Sequence, residues 1–241
     1  MDLGQYFAKD WTGPGFVMFG PAHLTMLAAI VLLNLWLLRF KKAPEGTQRT
    51  ISLILALGLW VNESAWHIWK AAIGEWTLQE MLPLHLCSVL IWLAGFMLIF
   101  KIYSIYEFVY FLGIGGALQA VLTPEVGIYG FPHFRYIQTF ISHGLLISAG
   151  IYMTTVIGFR PTWKSILRIF VIMNIYMLII YFVNSTLGSN YLMINHKPPM
   201  ATIMDALPAW PWYIPWLEVI GMVTVLLLYI PFIRRDLRQR A

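Results

Sequence analysis

Cys87 is the only cysteine in the chain, and it follows His85 by two residues in the run Leu82-Pro83-Leu84-His85-Leu86-Cys87. A thiol among imidazoles and amides is suited to nucleophilic acyl transfer, because the thiolate attacks esters and a histidine in reach raises the thiolate fraction. On a helix that starts at Pro83, a residue type at home in a first turn, positions 85 and 87 lie about 200° apart. His85 then points away from the thiol, and the base must come from another helix. His143 is the first choice, being too deep in its apolar segment to be a surface residue, and His67 is the second. Gln119, Gln138 and Asn184 are candidates to donate hydrogen bonds to a developing oxyanion. The plainer reading of Cys87 is a small apolar filler, the usual role of a buried cysteine.

The same residues admit other chemistry. Glu63 and His67 are four apart and share a helix face. With His85 and His143 they offer zinc donors for an intramembrane hydrolase, and two deep histidines are also haem-ligand types. No spacing here is diagnostic of a metal, and the expectation is a site with no metal and no cofactor. The chain has no His-Glu-x-x-His run, no Gly-x-Ser-x-Gly elbow and no glycine-rich phosphate loop. A third reading removes catalysis and makes the polar set the ligand site of a transporter or sensor, although no internal repeat is evident.

The elements that hold these residues follow from composition. Hydrophobic residues make up 59% of the 241 and charged ones 11%, with a mean hydropathy of +0.71. A soluble domain needs far more charge to cover its surface. Apolar runs of about 20 residues, enough to cross about 30 Å of hydrocarbon, recur throughout. The expected architecture is all-α: a polytopic membrane protein with one seven-helix bundle over 1–241. Its spans lie near 21–39, 49–70, 82–100, 104–122, 133–157, 164–186 and 212–233.

Basic residues set the orientation. Twelve fall on one side, in the connections holding Arg39 to Arg49, Lys101, Arg160 to Arg168 and Arg234 to Arg240. Four fall on the other: Lys9, Lys70, Arg135 and Lys197. This places the N-terminus outside and the C-terminus inside a cell membrane. The net charge of +5 therefore reports topology, and no nucleic-acid partner is expected. Trp66, Trp69, Trp76, Trp210, Trp212 and Trp216 read as an outer anchor belt.

With the spans laid out, polar residues gather at the outer end. Asn62, Glu63 and His67 end the second helix, while His85 and Cys87 begin the third. Gln119 ends the fourth, and Gln138 and His143 lie on the fifth, His143 about 15 Å below His133. Asn184 ends the sixth, and Glu218 sits about two turns into the seventh. The inner half holds fewer: Asn34, Glu107, Asn174 and some hydroxyls. Ionisable groups in hydrocarbon are costly unless paired or wet, so the convergence predicts a cavity open to the outer side. His133 and Arg135 read as interfacial and wetted.

Several stretches resemble a known family. The run through His85 and Cys87, Gly113-Ile114-Gly115-Gly116-Ala117-Leu118-Gln119 with Thr123-Pro124, and Gly130-Phe131-Pro132-His133-Phe134-Arg135 are similar to the bacterial YwaF-type integral membrane proteins. So are Phe140-Ile141-Ser142-His143-Gly144, Asn190-Tyr191, Lys197-Pro198 and Trp210-Pro211-Trp212-Tyr213. The resemblance covers about residues 80–230. It implies a bacterial plasma membrane and relatedness to an animal branch implicated in cysteine-dependent acyl transfer between phospholipids. Carried over by motif, Cys87 is the nucleophile and His143 the base. The implied partners are membrane lipids, a phospholipid acyl donor and a lysolipid acceptor, with the lipid species left open.

Overall fold

The computed structural model describes residues 3–197 and 203–238; Pro198 and Arg240, used above, lie outside the described residues. Among the described residues the secondary structure is helical, with no strand. Each segment expected to span contains a helix. In chain order these are α1 (Pro21–Leu37), α2 (Glu45–Ala72), α3 (Leu86–Phe100), α4 (Tyr103–Leu122), α5 (Phe134–Thr155), α6 (Trp163–Leu187) and α7 (Tyr213–Arg238).

Local chemistry sets the boundaries. α1 opens on Pro21, whose missing N–H costs nothing at a first position, and tightens into a 3-10 turn over Leu38–Lys42. α2 starts just after Pro44, with Glu45 in the turn where a helix favours an anion. α4 carries a π-turn at Val109–Gly113. A capping box of Thr162 and Ser165 opens α6, and Gly188, at φ 65°, closes it in the left-handed conformation that glycine adopts without strain.

Five of these helices are long and apolar enough to cross a membrane: α1 with its 3-10 extension, α2, α4, α6 and α7 up to Ile233. α3 is apolar but has only 15 residues. α5 has 22, yet Arg135, Gln138, Thr139, Ser142 and His143 keep it out of that group. The chain is thus a multi-pass membrane protein with at least five candidate spans.

The chain forms two compact units, Met1–Glu75 with Leu90–Phe159, and Trp76–Val89 with Arg160–Ala241. In the first, α5 is the central helix and packs against α1, α2 and α4. Leu146, Ala149, Tyr152 and Met153 are wholly buried. Small residues permit the approach: a Cβ on Gly144 would come within 2.8 Å of Ile30, and one on Gly150 equally close to Ile114. Membrane helices pack through such positions because lipid supplies no hydrophobic drive between them. In the second unit, α6 and the 188–197 segment enclose Ile180, Tyr191 and Ile194, against which Leu82, Leu84 and Tyr176 pack.

Candidate functional site

In the first unit, α2 and α5 bring several of the predicted residues together. Asn62 donates from Nδ2 to the backbone carbonyl of Gln138 at 3.1 Å. One residue on, Glu63 is buried, with an oxygen 3.9 Å from Nε2 of His67. The two are a turn apart, as their spacing requires. From α5, Gln138 is buried and accepts at Oε1 from Nη1 of Arg135 at 2.9 Å. Arg135 also donates from Nη2 to the carbonyl of Glu125 at 3.2 Å, and its guanidinium sits 4.1 Å from the centre of the Trp66 ring. Sequence reasoning passes over both Arg135, read as wetted, and Trp66, read as an anchor. The available signal is that Trp66 lies four after Asn62, and Arg135 three before Gln138, so each shares a face with a residue already singled out.

His143 lies further along α5 and is half-buried. Its Nδ1 is 2.8 Å from the carbonyl of Thr139. A carbonyl only accepts, so Nδ1 carries the proton and Nε2 keeps its lone pair, the tautomer a general base needs. The contrast with the other buried histidines is informative. In His23, Nδ1 accepts from the Phe19 N–H at 2.9 Å and Nε2 donates to the Val121 carbonyl at 2.8 Å. In His133, Nδ1 accepts from the Arg135 N–H at 3.0 Å and Nε2 donates to the Ala8 carbonyl at 3.0 Å. Both nitrogens of each are spent on holding backbone.

The second unit holds Cys87 and His85. Here the expected start of the third helix is corrected. Regular helix begins at Leu86, not near Pro83, and His85 precedes it. The hydroxyl of Tyr191 accepts the Leu82 N–H at 2.9 Å and donates to the Leu78 carbonyl at 2.7 Å. Tyr176 donates to the Leu84 carbonyl at 2.8 Å. The Leu84 carbonyl, which a helix running through Leu84 would bond within itself, is taken by Tyr176 instead. The 200° separation of His85 and Cys87 on one helix therefore does not apply. His85 packs its ring against Tyr191, centroids 5.1 Å apart. Cys87 is half-buried at the second position of α3, where the helix dipole favours negative charge.

Asn184 anchors the same region. Its Oδ1 accepts from the Tyr191 N–H at 2.8 Å and from the Ser189 hydroxyl at 2.9 Å. Its Nδ2 donates to the Tyr191 carbonyl at 2.9 Å and to Asn195 Oδ1 at 2.8 Å. Two lone pairs and two N–H groups are all engaged, leaving none for an oxyanion. Motif residues continue the lacing: Trp210 donates to the Ile194 carbonyl, Tyr213 to that of Met193 and Lys197 to that of Leu207.

The remaining predicted residues are placed less pointedly. Gln119 is exposed near the end of α4, and Glu218 is half-buried on α7. No group of three or more His, Cys, Asp or Glu side chains poised for a metal occurs among the described residues. A groove of about 420 Å³ lies in the second unit, lined by Trp163, Val223, Leu226, Leu227, Tyr229, Ile230, Ile233 and Asp236. It sits at the end of α6 and α7 away from the 188–197 segment and touches none of the predicted site residues.

Residues 18–229 fit the profile of the TMEM164 family. No curated protein matches the chain, and no solved structure does.

Proposed function

We propose, from the premise that this chain belongs to the TMEM164 family, that it is a membrane lipid acyltransferase or transacylase working through Cys87 and His143. The observation that carries this reading is the setting of Cys87. It is the chain's single thiol, half-buried in the first turn of α3, on a segment tied down through Tyr191 and Tyr176. A helix N-terminus favours the thiolate, and a fixed segment favours a defined line of attack.

In this reading His143 Nε2 takes the thiol proton. The Cys87 sulfur then attacks the carbonyl carbon of a glycerolipid ester, and the tetrahedral oxyanion collapses to a thioester. The leaving glycerol oxygen collects the proton from the imidazolium, releasing a lysolipid. An acceptor lysolipid hydroxyl next loses its proton to His143 and attacks the thioester, restoring the thiol. Each half-reaction balances without an oxidant, a metal or a cofactor. Gln138 and Asn62 belong to the α2–α5 polar face beside which the headgroup lies, together with Glu63 and His67. Asn184 and His85 serve by fixing the segment that carries Cys87. All seven helices cross the bilayer, with the N-terminus outside, and α5 is shielded from lipid by its neighbours.

The test is acyl transfer by purified protein from a labelled phospholipid to a lysolipid. Wild type forms a hydroxylamine-labile acyl adduct, and Cys87→Ala forms none and transfers nothing. An undiminished rate in Cys87→Ala overturns the reading.

A further inference from the structure

We infer that the Arg135 guanidinium, laid on the Trp66 indole, is a binding site for a phosphate-bearing anion; this deepens the acyltransferase reading and rests on it for the ligand being the lipid substrate. Three observations carry it. The group is rigid, bonded to Gln138 Oε1 at 2.9 Å and to the Glu125 carbonyl at 3.2 Å, and seated 4.1 Å from the Trp66 ring centre. The atoms it touches are neutral: an amide oxygen, a backbone carbonyl and an indole face. Among the described residues it belongs to none of the ion pairs, which join Glu75 to Lys9 and Lys70, Glu63 to His67, Lys101 to Glu45 and Arg160 to Asp236; the Glu125 and Glu63 carboxylates act on it electrostatically from beyond 4.0 Å and leave its remaining N–H groups to another acceptor.

A guanidinium has five N–H donors, and two are accounted for. The rest suit the paired oxygens of a phosphate, for which the planar fork is well matched. The side chain is half-buried. It belongs to the first turns of α5, whose dipole adds positive potential where an anion would bind. Eight residues separate Arg135 from His143, about 12 Å along the helix axis. That leaves room for a headgroup and glycerol between the cation and the base.

The experiment measures binding, in a Cys87→Ala background so that turnover does not interfere. Protein in detergent is titrated with fluorescent phosphatidylglycerol, with fluorescent diacylglycerol of the same chains, and with inorganic phosphate as competitor. Arg135→Gln is expected to lose roughly tenfold or more in affinity for the phospholipid, as for loss of a charged hydrogen bond, and to keep its affinity for diacylglycerol. Arg135→Lys retains part of the preference, and Trp66→Leu weakens it. Competition by phosphate in the protein that retains Arg135, and not in Arg135→Gln, supports the site and assigns it to a free anion, whereas absence of competition assigns it to a headgroup. Equal affinity for phosphatidylglycerol with and without the Arg135→Gln substitution, or equal loss for both lipids, overturns the proposal. Activity of Cys87→Ala would instead sink the acyltransferase reading and leave the binding contrast intact.

Discussion

Nδ1 of His143 lies 2.8 Å from the carbonyl oxygen of Thr139, one turn earlier on α5. The bond fixes the ring and its tautomer, and it directs the basic nitrogen away from the helix that carries it. If that nitrogen is the base for Cys87, His143→Ala lowers kcat about 10²–10⁴-fold. It also slows alkylation of Cys87 by iodoacetamide at neutral pH. In wild type both rates rise as the imidazolium loses its proton, because only neutral imidazole accepts one. An alkylation rate indifferent to His143→Ala contradicts the assignment.

Asn184 and Gln119 look alike in the sequence and should behave oppositely. Asn184 makes four hydrogen bonds in the buried Tyr191 region, while Gln119 is exposed. Asn184→Ala strands the Tyr191 N–H and carbonyl and costs about 1–3 kcal/mol for each group left unsatisfied. Gln119→Ala stays within about 0.5 kcal/mol of wild type. Thermal unfolding in detergent separates the two, and equal shifts would show that the Asn184 bonds do not hold the region.

The contrast shows what the sequence can disclose. Hydropathy locates helices because that signal acts within a few residues. The start of α3 is misplaced by such signals because Pro83 suits a first turn, whereas the decisive partners, Tyr176 and Tyr191, are 92 and 109 residues away from the backbone groups they bind. Arg135 is undervalued for a related reason. Its meaning depends on the indole of a different helix, which is not written near position 135. The Glu63–His67 pair is legible from spacing alone, being a turn apart on one helix.

Seven crossings place the two ends of the chain on opposite sides, and five do so as well, so the ends alone do not decide between them. The discriminating positions flank α5. In a Cys87→Ala background, single cysteines at Glu125 and at Arg160 are expected to be labelled by a membrane-impermeant maleimide from opposite sides of intact cells or inverted vesicles. Labelling of both from the same side would show that α5 does not cross.

Glu75 bridges two lysines: Oε2 is 2.7 Å from Lys70 Nζ and Oε1 is 2.9 Å from Lys9 Nζ. The hydrogen bond from Lys70, then that from Lys9, holds the Glu75 carboxyl below its ordinary 4.5, and Glu75 in turn raises Lys9 above its ordinary 10.5. A depressed carboxylate contributes stability that is fully present above its unfolded value and is lost as pH falls through the lower folded one. A raised lysine contributes stability that is fully present below its unfolded value and is lost as pH rises through the higher folded one. The difference in Tm between wild type and Glu75→Gln is therefore expected to form a plateau from about pH 5 to pH 10 and to shrink at both extremes. Lys9 is exposed and Glu75 only half-buried, so the plateau is small and falls as salt screens the charges. A difference that persists unchanged at about pH 2, or in about 1 M salt, would show that Glu75 acts through packing and not through charge.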